Sequence, residues 1–233
     1  MIVAQAGGTP AEAPGNPFET GALRAAVTAG RADQAGVSQL SGREDLFLEG
    51  DDATHVFEVV EGVVCMYRIM PDGSRHVLAF RFPGEIVGLC SPGTYGYNAQ
   101  AVGDTRVRRI PLSGLERLID ERSDFARKLL RMATAELNAM REHLKCLASK
   151  SAEAKVADFL LMLARRRKTE RREAVVVNLP MTRTDIGDYL GLTIETVSRT
   201  ISKFRRMGVI DLPHTNQIVV RQLDRLAELA GAA

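Results

Sequence analysis

The sequence predicts an α+β protein that combines a small β-barrel or sandwich, a long dimerisation helix and a C-terminal winged helix-turn-helix. Three observations lead to this fold. Short β-branched segments with turn signals occupy residues 45–112. A heptad repeat at residues 126–147 lies within a helical segment at 113–148. Two capped helical segments followed by strand patterns lie beyond residue 180. These patterns are typical of a β domain, of a helix that pairs with another helix, and of a DNA-binding module.

The composition is that of a folded protein outside the membrane. Hydrophobic residues make up 45% of the 233 residues, which is enough for a core. No apolar run approaches the roughly 20 residues that a membrane-spanning helix needs, and the N-terminus lacks the pattern of a signal peptide. Cys65, Cys90 and Cys146 are far apart and not in a metal-ligand spacing, as in a cytoplasmic chain with reduced thiols. We therefore expect a cytoplasmic protein with no metal site and no membrane partner.

The net charge of +2 conceals an asymmetry along the chain. Residues 1–149 hold 16 Lys/Arg and 19 Asp/Glu, a net charge of −3, whereas residues 150–233 hold 15 Lys/Arg and 10 Asp/Glu, a net charge of +5. A basic last third on an acidic body indicates that the C-terminal part meets a polyanion such as nucleic acid.

The first folded domain is predicted to be all-β behind a disordered tail. Residues 1–20 are rich in Gly, Pro and Ala and are expected to be disordered. Within residues 21–112, two β-branched segments flank the hairpin signal PDGS at 71–74. Because further turn signals follow and no long helical pattern interrupts them, the domain is expected to be a barrel or sandwich.

Residues 113–148 are predicted to form one long helix that pairs with a second copy of the chain. Apolar residues recur at alternating spacings of 4 and 3 for three repeats, which is a heptad seam. Phe125, Leu129 and Met132 form a second stripe that can rest on the β domain. The seam is therefore free to pair with the same helix of a second copy of the chain. The alternative is a helix buried within one chain. The seam consists of Ala126, Leu130, Ala133, Leu137, Met140, Leu144 and Leu147.

Residues 149–233 are predicted to form a winged helix-turn-helix that binds DNA. Thr182 with Asp185 is a capping signal, Gly191 ends the first helix, and Thr193 caps the second. Because the apolar residues of the second helix point inward, Glu195, Ser198 and Arg199 share its outer face near the N-terminus, where a recognition helix reads base edges. The residues suited to phosphate contacts are Thr182, Arg183, Thr193, Thr196, Lys203 and Arg205.

The segment MTRTDIGDYLGLTIETVSRTISKF, residues 181–204, closely resembles the DNA-binding helices of the CRP/FNR family of bacterial transcription regulators. Its E-x-x-S-R pattern is that of the FNR and FixK branch, whereas the CRP branch has Arg at the position of Ile194 and Gly at that of Ser198. The segment PDGSRHVLAFRFPGEIVGL is similar to the family's β-roll. The resemblance covers residues 40–233 and implies a cyclic-nucleotide-binding-type β jelly roll for the first domain.

The resemblance also implies that a sensor group could occupy the β domain. An FNR-type iron–sulfur cluster needs four cysteine ligands, but this chain has three cysteines, and Arg108 stands where the family's β-roll ligand is expected. The family's cyclic-nucleotide sensors place an arginine on the phosphate after a Gly-Glu pair. Gly84 and Glu85 are present, yet residues 87–104 contain no Arg or Lys. We therefore expect no cofactor.

The FixK-like resemblance implies an activator that binds double-stranded DNA as a homodimer, at palindromic TTGAT-type half-sites. It also implies that the protein contacts RNA polymerase. The family branch further implies a role in the response to oxygen limitation or in nitrogen metabolism. An alternative is a regulator of the same family gated by an unidentified small ligand, by haem, or by thiol oxidation at Cys90 or Cys146. An enzyme is not expected, because the sequence has no nucleophile elbow, no phosphate-cradling glycine loop and no metal-ligand set.

Overall fold

The computed structural model describes residues 36–89, 93–166 and 174–231. The tail predicted at residues 1–20, the start of the predicted β domain before residue 36, and Cys90 all lie outside the described residues. Within the described residues, no helix has the length and apolar character that crossing a bilayer requires.

The first domain consists of two four-stranded antiparallel sheets, as expected for a jelly roll. One sheet has the order β1-β8-β3-β6 and the other the order β2-β7-β4-β5. The strands are β1 Val37–Leu40, β2 Asp45–Phe47, β3 His55–Glu61, β4 Val64–Ile69, β5 Arg75–Arg81, β6 Ile86–Val87, β7 Asn98–Ala101 and β8 Thr105–Pro111.

The core of this β-roll lies between the two sheets. Val59 and Val107 from one sheet meet Val64 and Ala99 from the other, and all four side chains are inaccessible to solvent. The predicted hairpin joins β4 and β5 at residues 71–74, where Gly73 has a φ of 82°. A positive φ favours glycine, because other residues bring their Cβ too close to the backbone.

The long helix predicted at residues 113–148 is two helices, and this part of the prediction is wrong. Helix α1 spans Leu112–Glu121 and helix α2 spans Ser123–Ser149, and Arg122 between them is extended at φ −132° and ψ 95°. The break lets both helices pack on the β-roll around Val56 and Ile110. Phe125 and Met132 of the predicted second stripe are buried there with Leu115 and Leu118 of α1. The whole heptad seam lies on α2.

The C-terminal module has the predicted helix-turn-helix and wing. Helix α3 spans Ala152–Arg165, α4 spans Arg183–Leu190 and α5 spans Ile194–Arg206. A three-stranded sheet of order β10-β11-β9 completes it, with β9 at Val175–Asn178, β10 at Ile210–His214 and β11 at Gln217–Val220. A short helix α6, Leu223–Leu229, was not predicted; it buries Leu226 in the core of the module.

Candidate nucleic-acid interface

Helix α4 begins with a complete capping box. The Asp185 amide donates to Thr182 Oγ1 at 3.1 Å, and the Thr182 amide donates to Asp185 Oδ2 at 2.9 Å. Two amides that have no partner within the helix are satisfied in this way. Burial alone raises the pKa of Asp185, but hydrogen bonds from Thr182 and the nearby Arg75 outweigh it, so the pKa stays below its usual value. The carboxylate is therefore charged at neutral pH.

Two glycines shape the turn between α4 and α5. Gly191 ends α4 at a φ of 62°, as the sequence predicted. Gly187, inside α4, is the second and was not predicted. A Cβ at Gly187 would lie 2.6 Å from the Leu192 carbonyl oxygen. Because no Cβ fits at that distance, Gly187 allows the turn to fold closely over α4.

Helix α5 separates a buried face from an exposed face. Thr193 caps the helix by accepting from the Thr196 amide at 3.3 Å. Val197, Ile201 and Phe204 point into the core, each at most 2% exposed. On the opposite side Glu195 and Arg199 are exposed and Ser198 is half-buried, with the exposed Ile194 beside them. The three residues predicted to read bases are thus brought together on one accessible face.

The residues predicted to contact phosphates differ in how free they are. Thr182 and Arg205 are exposed. Lys203 is engaged with Glu153 of α3 in an exposed ion pair, and this carboxylate competes with a phosphate for the ammonium group. Arg183 is half-buried, and its Nη1 atom is buried without a hydrogen-bond partner; burial lowers the pKa of this guanidinium. A phosphate oxygen near Arg183 would supply the missing acceptor.

A cleft between α4 and the wing extends this basic surface. It has a volume of about 540 Å³ and lies beside Thr182, Arg183 and Arg205. The wing contributes His214, Thr215 and Asn216 to its lining. These three residues were not predicted from the sequence. They belong to the turn PHTNQ, residues 213–217, which has no distinctive motif. Only the folded structure shows that this turn lies close to α4.

In the β-roll, the Gly-Glu pair and the aromatic residues of the interior make contacts within the protein. Glu85 of the Gly-Glu pair is fully buried; its Oε1 pairs with Arg166 at the end of α3, and its Oε2 accepts from the Phe82 amide at 3.1 Å. Phe47 and Tyr95 stack at 3.7 Å between the sheets. A nucleotide phosphate would have no cation from residues 87–104, and an unpaired buried phosphate is costly. Among the described residues no group of His, Cys, Asp and Glu side chains is placed to hold a metal ion.

The heptad seam on α2 is largely exposed in the single chain. Leu130 is 67% exposed, Leu137 47%, Met140 57% and Leu144 64%. Ala133 is also exposed, whereas Ala126 and Leu147 are half-buried. An exposed apolar stripe of this length is typical of an interaction surface. The alternative of a helix buried within one chain does not agree with this exposure.

Of the two cysteines predicted as redox candidates, Cys146 is buried. Cys146 is 4% exposed, and burial raises its pKa. Because the thiolate is the reactive form of cysteine, a buried thiol with a raised pKa is a poor redox sensor. The other predicted candidate, Cys90, lies outside the described residues.

Two protein families match the two halves of this architecture. The cyclic nucleotide-binding domain family matches residues 38–122, and the Crp-like helix-turn-helix domain family matches residues 154–229. The nitrogen fixation regulation protein FixK of Bradyrhizobium diazoefficiens is 40% identical over 174 residues, which are 75% of this chain and 73% of that protein. FixK of Azorhizobium caulinodans is 40% identical over 183 residues, covering 77% and 74% of the two chains.

A solved structure agrees with the sequence comparison. The structure of FixK2 from Bradyrhizobium japonicum superposes with a TM-score of 0.79 at 38% identity and covers 85% of this chain and 98% of that chain. The similarity therefore extends across both the β-roll and the helix-turn-helix.

Proposed function

The chain belongs to the CRP/FNR family of transcription regulators, and on that premise we propose that it binds an inverted repeat of TTGAT-type half-sites as a homodimer and activates transcription there. The observation that carries the proposal is the exposed face of α5 with Glu195, Ser198 and Arg199. Arginine can hold guanine O6 and N7 together, and glutamate can accept from cytosine N4. The E-x-x-S-R pattern of the FixK branch supports the TTGAT-type half-site.

The residues proposed to contact phosphates lie at the start of α4 and at both ends of α5. Thr182, Arg183 and Arg205 border the cleft beside the wing, and Thr182 and Arg183 form the N-terminus of α4. Backbone amides at a helix N-terminus attract phosphate, and the helix dipole adds to the attraction. Thr193 and Thr196 lie at the start of α5, and Lys203 would join after release from Glu153. These contacts position the protein without reading sequence.

The exposed seam on α2 supports a homodimer. Two copies of α2 paired through Leu130, Leu137 and Leu144 would cover a stripe that one chain leaves in water. A symmetric dimer presents two recognition helices to two half-sites one helical turn apart, which requires an inverted repeat.

Control by a bound group is not part of the proposal. Residues 87–104 offer no Arg or Lys to a cyclic-nucleotide phosphate, and three cysteines are too few for a four-cysteine iron–sulfur cluster. RNA polymerase is the expected protein partner, in the cytoplasm. We propose no enzymatic activity for the chain. The relatives named as nitrogen fixation regulators, together with the FixK-like motif, support a role in nitrogen metabolism or in the response to low oxygen.

A binding assay tests the proposal directly. Protein purified in air without added effector should bind a TTGAT-type inverted repeat about a thousandfold more tightly than a scrambled duplex at the same salt concentration. Equal affinity for both duplexes would contradict sequence-specific binding. Binding that requires a cyclic nucleotide would contradict effector-free action.

A further inference from the structure

One arginine of the β-roll reaches the helix-turn-helix. Arg75 is the first residue of β5, directly after the turn at 71–74. Its Nη1 donates to Asp185 Oδ1 at 2.8 Å and to Asp188 Oδ2 at 3.1 Å, and both aspartates lie on α4. A more distant cation, Arg43, lies 3.9 Å from Asp185 Oδ2. One side chain of the β-roll therefore binds two aspartates, three residues apart, on the first helix of the helix-turn-helix.

The guanidinium of Arg75 is also fixed on the β-roll side. Its Nη2 donates to Cys65 Sγ at 3.3 Å, and its central carbon lies 4.4 Å from the centre of the Tyr67 ring. Cys65 is inaccessible to solvent, and its pKa is raised to about 12 by burial, so it is a neutral thiol. Because Cys65 and Tyr67 of β4 both contact the planar guanidinium, it has little freedom to turn away from α4.

Asp185 joins this contact to the geometry of α4. Its Oδ1 binds Arg75, while its Oδ2 accepts from the Thr182 amide in the capping box. The side chain is only 5% exposed, and a buried charge needs its partners because few water molecules can replace them. The ion pair and the helix start therefore share one buried carboxylate, so the β-roll and α4 cannot move independently without disturbing it.

We propose that Arg75 is a positioning residue for DNA binding: through Asp185 and Asp188 it fixes the helix-turn-helix at one orientation on the β-roll. This inference rests on the proposed function. In a dimer joined through α2, the distance between the two recognition helices depends on how each unit is held against its own β-roll. An ion pair within the chain can hold this orientation without a bound effector. Arg75 contacts no base in this proposal.

The test compares Arg75→Met with the matched control Arg68→Met. Arg68 lies on the neighbouring strand β4 and pairs with Glu49 within the β-roll, so its loss removes an ion pair without touching α4. Arg75→Met should weaken binding to the inverted repeat about five- to tenfold, a range usual for the loss of a coupled contact. Arg68→Met should bind like the wild type.

Half-site spacing gives the readout that a loss of stability would not change. Wild-type protein should discriminate strongly against an inverted repeat with one base pair inserted at its centre. Arg75→Met should discriminate less, because a loosely held unit can adapt to the altered spacing. A variant that keeps wild-type affinity and wild-type spacing preference would overturn the positioning role while leaving the proposed function intact. A wild-type protein without preference for the repeat would instead overturn the proposed function.

Asp188→Asn keeps the proposal testable if Arg75→Met does not fold. This change removes one of the two carboxylates from Arg75 and leaves the Thr182–Asp185 capping box in place. It should relax the spacing preference in the same direction by a smaller amount. Where Arg75→Met does fold, a double-mutant cycle is also available: Arg75→Met should cost less affinity in the Asp188→Asn background than in the wild type. Strictly additive effects of the two changes would overturn the contact as the source of positioning.

Discussion

His143 of α2 stacks on Tyr189 of α4, with ring centres 4.1 Å apart and ring planes 8° apart. The Tyr189 ring also lies 5.4 Å from Phe80 of β5 and 5.7 Å from Phe159 of α3. Burial raises the pKa of Tyr189 to about 12, so its phenol stays neutral. Three parts of the protein thus meet around the Tyr189 ring: helix α2 with its seam, the β-roll, and the helix-turn-helix.

Acidification is expected to destabilise this junction through His143. Burial lowers the pKa of His143, and this effect together with Lys155 outweighs the opposing hydrogen bond to the Tyr189 backbone and the charge of Asp158. A lowered pKa in the fold means that the neutral imidazole is the favoured form. The contribution of neutral His143 to the free energy of unfolding is therefore complete above the unfolded pKa of about 6.5. It is lost as the pH falls below that value, because the unfolded chain then binds a proton that the folded protein resists.

Thermal unfolding between about pH 7.5 and about pH 5 measures this effect. His143→Phe keeps a ring for the stack and removes the titrating group, so it is the matched control. The melting temperature of the wild type should fall more over this range than that of His143→Phe. Parallel pH profiles would show that His143 does not contribute to the acid sensitivity.

Gly187→Ala is expected to destabilise the DNA-binding module by roughly 1–3 kcal/mol, the usual cost of forcing an extra methyl into a packed site. The new Cβ would meet the Leu192 carbonyl oxygen at 2.6 Å, so the turn before α5 must shift. Gly114→Ala is the control, because Gly114 lies in α1 with open space around it. That change should be neutral or stabilise by up to about 1 kcal/mol. Denaturant unfolding measures the change in the free energy of unfolding for both variants. Equal losses in the two variants would contradict the close approach of the turn to Gly187.

The helix-turn-helix was predictable because its signals are local. Thr182, Asp185, Gly191 and Thr193 act on residues within four positions along the chain, and such caps and turns are encoded where they occur. The apolar spacing of α5 likewise set its outer face, so Glu195 and Arg199 were identified from the sequence alone.

The features that sequence reasoning missed depend on contacts between distant segments. Residues 115–148 contain no Pro and no Gly, so the usual helix-breaking residues did not mark the break at Arg122 between α1 and α2. Gly187 gave no signal, because its role depends on the path of the turn at Leu192. The contact between Arg75 and Asp185 joins residues 110 positions apart, a distance at which spacing carries no information.

Leu137→Glu is expected to turn the proposed dimer into monomers. Leu137 lies in the middle of the seam and is 47% exposed in one chain, so the change does not disturb the core of the protomer. In the dimer, two glutamates would face each other across the axis in an apolar contact, and a buried unpaired charge is strongly unfavourable. Light scattering coupled to size exclusion gives the mass of each species.

Asn138→Glu is the matched control for the seam. It introduces the same charge on the next residue of α2, which is exposed and outside the heptad positions. This variant should remain dimeric. A monomeric wild type, or a dimer that tolerates Leu137→Glu, would refute the pairing of α2 helices.

Arg199→Ala is expected to cost about 1–3 kcal/mol per half-site and to relax the choice of one base pair. Arg199 is exposed on the reading face of α5, and its planar guanidinium suits two acceptors on one guanine edge. Because a dimer uses two half-sites, the loss is felt twice. Affinity is measured on the inverted repeat, on single-base variants of it and on random DNA, each at several salt concentrations.

Arg205→Ala is the control for Arg199, because Arg205 is an exposed cation beside the cleft that is proposed to contact phosphate. Its loss should weaken binding to all duplexes alike and reduce the salt dependence of log affinity by about one unit per contact. The Arg199 variant should instead lose most of its affinity on the inverted repeat and little on random DNA. If Arg199→Ala lowers both affinities equally, then Arg199 is a phosphate contact, and the base-reading face must lie elsewhere on α5.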